Sequence, residues 1–300
     1  MKEAIVWLTL KNIPFVSGID TMTQRRLASL PLTAMLLLLI PVIAGAANQQ
    51  EHGGVTKTIN LVSGPDYPPF SDGRLPLNGL APFVVQAVFA SANKAVTTEL
   101  RPWKRAYLEA LQGQYDVLLP YVLTEARQQL FLFSRPIFEV HAHIYVRREG
   151  SVKAQSLEEL KGLTYCNPLG FADGDALSEE RGANHITRFA PARLENCFSM
   201  LSAGRIDFIK TNEYVAEYMD HNHKMAAGTF RALPFALEKS SLHAMVPKTH
   251  PFATTLIETF NRTFEEMEQN GQIRELTERY LEHVNGGGEL PLPEHFGHRH

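Results

Sequence analysis

The residue in this sequence with the clearest chemical purpose is a cation placed to meet an anion. Arg127 stands three residues after Thr124, just past the apolar run Asp116 to Leu119 (DVLL). A planar guanidinium presents paired donors that match the two oxygens of a carboxylate. An arginine on a solvated turn is the alternative that composition alone favours. Around it the chain supplies flat rings: Tyr67 and Phe70 in YPPF, Trp103 in PWKRA, and Tyr121 between DVLLP and Thr124. Rings offer large contact area at little rotamer cost and can wall in an apolar or cationic body, or else simply fill a core. The Tyr121 hydroxyl is placed to reach a cleft. Lys104 and Arg105, beside Trp103, add positive charge and favour an anionic solute, a dicarboxylate among them.

Other chemistries have less support. Of the twelve histidines, His141 and His143 alternate on one strand face, His221 and His223 flank Asn222, and His295, His298 and His300 sit near the C-terminus. Two imidazoles do not make a zinc site without further ligands, so no metal and no cofactor is expected. Glu139, Asp173 and Glu213 are candidate general acids or bases, but nothing in their spacing pairs them. There is no serine, histidine and acid order and no phosphate-cradling glycine loop. The expectation is a protein that is not an enzyme. A formal net charge of -3 leaves no basic excess for a run of phosphates, so nucleic acid is not an expected partner.

The elements that must carry these residues follow a βαβ rhythm. TINLVS (58–63) reads as a strand running into a Pro-rich turn, and GLAPFVVQAVFASA (79–92) has apolar residues at helical spacing. Residues 97–101 alternate as a strand, 106–111 form a helix ended by Gly113, and 116–119 form a buried strand. A β-rich segment, 137–147, leads to SLEELK (156–161), which looks like a short capped helix, and to a strand at 163–166. The rhythm then repeats: helix 191–203 stopped by Gly204, strand 206–210, and a helix from Glu213. Residues 235–246 are strand-like, and 251–280 form an amphipathic helical stretch broken at Asn270-Gly271. These are two α/β units of similar size, joined by crossings near 142–149 and 234–243, with a cleft between them where a small ligand would bind. The limits expected are 55–145 plus 240–284 for lobe one and 146–239 for lobe two.

At the N-terminus, LTAMLLLLIPVI (32–43) follows Arg25 and Arg26 and precedes Ala44-Gly45-Ala46, the pattern of a secretory signal covering residues 1–46. A spanning helix needs roughly 20 apolar residues without an interrupting Pro41. The stretch before Arg25 is long for a signal, and Met22 offers a second start. Export implies a periplasmic location. It also means that Cys166 and Cys197, the two cysteines, can form a disulfide, although two separate buried thiols would satisfy the sequence as well. The Gly-, Pro- and His-rich tail, 285–300, is expected to be disordered.

Short words carry a resemblance that runs from about Ile59 to Tyr280. They are Tyr67-Pro68-Pro69-Phe70, PWKRA around Trp103, Gly113-Gln114-Tyr115-Asp116, Thr124-Glu125-Ala126-Arg127, Phe133-Ser134-Arg135-Pro136, LEELKG (157–162), Gly204-Arg205-Ile206-Asp207 and Asn270-Gly271. In this order and spacing the chain resembles a divergent branch of the bacterial extracellular solute-binding proteins of family 3. The resemblance implies a type II periplasmic-binding fold, with two α/β lobes joined by a two-crossing hinge. It implies a monomer that closes on an amino acid or related solute and delivers it to an ABC-type permease, or that informs a membrane signalling partner instead. A dehydratase-like enzyme acting on cyclic carboxylates is a more distant alternative. By the same resemblance Arg127, with Thr124, grips a ligand carboxylate, and Tyr67 and Trp103 wall the ligand. In the branch pattern the two cysteines tie a strand to the following helix, worth about 3 kcal/mol through the unfolded chain.

Two departures from the family bear on the ligand. Many members place an aspartate five residues after the Asp207 position, where its charge meets the ligand's ammonium. Here Asn212 stands there, followed by Glu213, which either substitutes for that aspartate or serves as a first-turn helix charge. After the lobe-two strand, where relatives show a glycine and a hydroxyl residue, this chain has Cys166-Asn167-Pro168-Leu169-Gly170-Phe171, so Phe171 can add an apolar contact.

Overall fold

The computed structural model describes residues 58–222, 228–284 and 290. The expected signal (1–46) and, apart from Leu290, the expected tail (285–300) lie outside those residues, as does His223.

The chain opens with a parallel trio. β1 (Ile59–Ser63) lies between β2 (Val96–Leu100) and β3 (Val117–Val122) and runs parallel to both. Its apolar residues point to both faces, as suits a central strand covered on each side. α1 (Leu80–Ser91) links β1 to β2 and is buried from Leu80 to Ala90, because its apolar residues run all round the helix. α2 (Trp103–Leu111) starts after Pro102 and buries Trp103, Ala106 and Ala110, one stripe at helical spacing. α3 (Glu125–Leu130) and β4 (Phe131–Phe133) follow β3.

β5 (Phe138–Arg147) then crosses into a second trio, in which β6 (Thr164–Cys166) lies between β7 (Thr187–Phe189) and β8 (Phe208–Asn212) and is parallel to both. Its helices are α4 (Asp175–Gly182), α5 (Leu194–Ser202) and α6 (Glu213–Asn222). β9 (Phe230–Pro247) returns to the first trio, and α7 (Ala253–Gln269) and α8 (Gln272–Val284) cover it. Ring pairs join these helices to α1, Phe89 to Phe260 at 5.6 Å and Phe83 to Tyr280 at 5.2 Å.

The sheet order is β2-β1-β3-β9-β5-β8-β6-β7, with β4 also on β9. Each trio is completed by an antiparallel crossing strand: β9 on β3, and β5 on β8. β5 and β9 also pair with each other, from Phe138 opposite Leu242 to Arg147 opposite Phe230. Two lobes are thus connected by two adjacent, hydrogen-bonded strands.

Cys166, at the end of β6, and Cys197, in α5, form a disulfide with Cα atoms 5.4 Å apart. One expected element is corrected: SLEELK holds only a 3-10 turn, Glu158–Leu160, of which Leu160 alone is buried. With so little apolar contact no longer helix is held. Among the described residues no helix is long and apolar enough to cross a membrane.

Candidate functional site

In open α/β sheets, ligands gather where strands end at their carboxyl side and the following loops are free. Here the residues following β1, β2, β3 and β6, and those at the end of β8, line one cavity of about 80 Å³. Val140 and Ala142 of β5 and Ser240 and Leu242 of β9 complete it, so both lobes and both crossings contribute.

A tight turn positions the first ring. The Tyr67 N–H donates to Ser71 O at 2.7 Å, and the Ser71 N–H donates back to Tyr67 O at 2.9 Å. The Tyr67 ring meets Trp103 and Phe171 edge-on, with centroids 6.0 and 5.5 Å away. Trp103 is held by its Nε1–H on Pro65 O at 2.9 Å, and its indole lies flat against Gly64. A Cβ at Gly64 would come within 2.0 Å of the ring, so that approach demands glycine. The Tyr121 hydroxyl donates to Trp103 O at 3.1 Å.

Arg127 is set by its helix. Thr124 caps α3, its Oγ1 accepting the Arg127 N–H at 3.3 Å. The guanidinium donates from Nη1 to Val122 O at 2.7 Å and from Nη2 to Gly170 O of lobe two at 2.9 Å, and lies 4.9 Å from the Tyr121 ring centre. Burial pulls its pKa below the ordinary value, yet an arginine of this kind stays charged. Among the described residues no carboxylate pairs with it.

Lobe two contributes mainly through β8 and the loop after β6. Asn212 Oδ1 accepts the Val215 N–H at 2.9 Å, capping α6, and its Nδ2 donates to Tyr67 Oη at 2.6 Å across the cleft. Lys210 Nζ donates to Asp173 O at 2.7 Å and pairs with Glu238. The Asp173 carboxylate, buried, is held by Asn167, Arg181 and Arg188. Three further contacts join the lobes, the first two of them outside the cavity lining. Asp66 accepts the Leu194 N–H at the start of α5, Arg74 reaches Glu195, and Gly170 lies against the first turn of α2.

Six of the residues singled out from sequence therefore line one cavity: Tyr67, Trp103, Tyr121, Arg127, Phe171 and Asn212. Three stand outside its wall. Phe70 is fully buried, packed on Phe138 and Tyr214 at 5.2 and 5.9 Å. Thr124 acts on Arg127 through its cap. Glu213 turns to β5, where its carboxylate accepts the His141 N–H at 2.8 Å and meets His141 Nδ1 at 3.0 Å. Glu139 pairs with Lys239 at 2.8 Å, so the three acids considered for acid-base work are not brought together.

Sequence reasoning missed Lys210, Asn167 and the crossing residues Val140, Ala142, Ser240 and Leu242. A signal for several existed in the strand period of two: Lys210 shares a face with Asn212, Val140 with Ala142, and Ser240 with Leu242.

The fold is widely shared. The chain has a TM-score of 0.64 to a mutant of ArgBP from T. maritima, at 20% identity over 75% of this chain and 95% of that one. For a histidine kinase sensor domain similar to periplasmic binding proteins the TM-score is 0.65, at 19% identity over 75% and 96%. For the GluR0 ligand-binding core from Nostoc punctiforme, in complex with L-glutamate, it is 0.60 at 18% identity over 73% and 98%. These are type II periplasmic-binding folds, the architecture found here. No curated protein matches the sequence. Residues 59–283 match the family model described as bacterial extracellular solute-binding proteins, family 3. That match spans most of the chain, so the protein belongs to the bacterial extracellular solute-binding proteins of family 3.

Proposed function

We propose that this solute-binding protein captures a small carboxylate-bearing solute, an amino acid or related organic acid, by closing its two lobes, and passes it to an ABC-type permease. The observation that carries the reading is Arg127: a buried guanidinium on the cavity wall with no acidic partner among the described residues. A desolvated cation without a counter-ion is costly, and a ligand carboxylate supplies that counter-ion. Tyr67, Trp103 and Phe171 wall the ligand body, with Tyr121 behind Trp103. Lobe limits of 55–145 plus 240–284 and 146–239, export by residues 1–46 to the periplasm, and action as a monomer complete the proposal. Closure is a population shift set by the ligand's differential affinity for open and closed forms.

A thermal-shift screen of the secreted chain against amino acids, dicarboxylates, aromatic acids, sugars and polyamines tests this, because a bound ligand raises stability by RT ln(1 + [L]/Kd). Carboxylates are expected to produce the shift. Arg127→Ala should weaken the hit by about 2 kcal/mol, roughly thirtyfold in Kd by titration calorimetry. Unchanged affinity in that variant would remove Arg127 from the site. The likeness to a histidine kinase sensor domain supports a second reading, a sensor whose closure is read by a membrane partner. A co-purified kinase, in place of a permease, would favour it.

A further inference from the structure

Where Tyr67, Asn212 and Arg127 meet, the cavity presents donors, and among the described residues that line it none is an acid. Asn212 sets this polarity. Its Oδ1 faces the Val215 N–H at 2.9 Å, and a backbone N–H can only donate. That contact fixes which way the amide points and aims its Nδ2 at Tyr67 Oη, 2.6 Å away. An amide nitrogen also only donates, so the Tyr67 oxygen must accept. The hydroxyl's own hydrogen is then left for another acceptor, and no described residue supplies one. Arg127 commits two donors to backbone carbonyls and, of the five that a guanidinium carries, keeps the rest. Lys210 also lines the wall, with its ammonium already engaged by the Glu238 carboxylate and Asp173 O. The carbonyls of the lobe-two loop are engaged already: Gly170 O accepts from Arg127, and Ala172 O accepts from Asn167.

An ammonium group brings donors and no acceptor. Beside Tyr67, Asn212 and Arg127 it would lose its water and face a hydroxyl hydrogen, an amide and a guanidinium, with no acid lining the cavity to receive it. The oxygens of a carboxylate have the opposite character and match each of these groups. The remaining wall, Trp103, Phe171, Val140 and Leu242, suits an apolar body. Resting on the carboxylate reading above, we infer that the solute is a small carboxylic acid without an ammonium group, and that Asn212, through Tyr67, is the residue that excludes the amino counterpart.

Titration calorimetry on matched pairs with one carbon skeleton tests this: glutarate against glutamate, 4-methylpentanoate against leucine, and 3-phenylpropanoate against phenylalanine, each with the 2-oxo acid added. At least one amino-free acid is expected to bind, with its amino partner at least tenfold weaker. Asn212→Asp keeps a capping oxygen for Val215 and offers the Tyr67 hydrogen an acceptor inside the protein. It should shift the ratio of affinities at least tenfold towards the amino acid. Tyr67→Phe, a second variant that deletes only the hydroxyl, should weaken the amino-free acid at least fivefold. An amino acid binding as tightly as its amino-free partner overturns the inference and leaves the carboxylate reading standing. No binding by any carboxylate overturns both. An unmoved ratio in N212D together with unmoved affinity in Y67F removes Asn212 and Tyr67 as the selector.

Discussion

Asp66 of lobe one accepts the backbone N–H of Leu194, the first residue of α5 in lobe two, so one lobe caps a helix of the other. The helix's own N-cap residue, Arg193, makes no such side-chain contact. Asp66 is 2% exposed and holds a positive φ of 61°, a backbone state that Asp and Asn tolerate better than most residues. Burial pushes its carboxyl up from the ordinary 3.8 to about 6, outweighing the Leu194 N–H and the nearby Arg193, with Glu195 and Asp72 adding to the rise.

A pH dependence follows. The native state holds this proton more tightly than the unfolded chain, so the contribution is present in full below about pH 3.8 and lost as pH rises through about 6. The span amounts to about 3 kcal/mol. Asp66→Asn keeps an accepting oxygen and cannot ionise. Urea unfolding of wild type and variant from pH 4 to 7.5 should show the variant gaining on the wild type as pH rises. Parallel profiles would show that Asp66 does not titrate in this range.

The disulfide yields a second expectation. Cys166 and Cys197 close a loop with a sequence separation of 31, and both are fully buried. Replacing both with Ala should lower unfolding free energy by about 3 kcal/mol, mainly by freeing the unfolded chain. Denaturant midpoints with and without reductant should reproduce the loss in the wild type and leave the double variant unmoved. A wild type indifferent to reductant would mean that the bridge adds no stability.

Gly170, on the cavity wall, offers a test of lobe closure that leaves Tyr67, Arg127 and Asn212 unchanged. Its φ is 91°, and an added Cβ would lie 2.8 Å from Lys104 N and 2.9 Å from Trp103 Cβ, across the cleft. Gly162 has a φ of 83° and open space around it, so it carries the same backbone cost without the clash. Gly170→Ala should weaken solute binding at least tenfold, about 1.4 kcal/mol, and Gly162→Ala should not. Small-angle scattering with saturating solute should show compaction in the second variant and less in the first. Equal compaction would show that the loop yields around the added methyl.

Much of this arrangement was legible in the sequence, and the gaps have physical causes. Long periodic segments such as 79–92 and 251–280 read correctly, because burial imposes a pattern over several turns. α3, β4, α4 and β7 did not stand out. They are short, α4 buries only Leu177, and β7 is held by its pairing with β6, which local residues cannot announce. In the cavity, Tyr67, Trp103, Arg127, Phe171 and Asn212 drew notice through the words around them or their departure from family usage. Lys210, Ser240 and Leu242 sit in unremarkable strands and come to one cavity only when β8 and β9 are laid on either side of β5. Glu213 invited a role beside Asn212, yet adjacent residues at a strand-to-helix junction diverge, and it faces His141 instead.

The pairing of β5 with β9 also has a mechanical consequence. A lobe tethered by one strand could swivel freely, whereas two strands laddered together form a ribbon that resists twisting and shear and flexes chiefly out of its own plane. The ladder is irregular between Ala142 and His143 and again between His143 and Tyr145, so compliance is concentrated within one short span beside the cavity. A bend there would turn lobe two about a span whose neighbours Ala142 and Ser240 line the cavity, so a solute held in that cavity would sit close to the pivot.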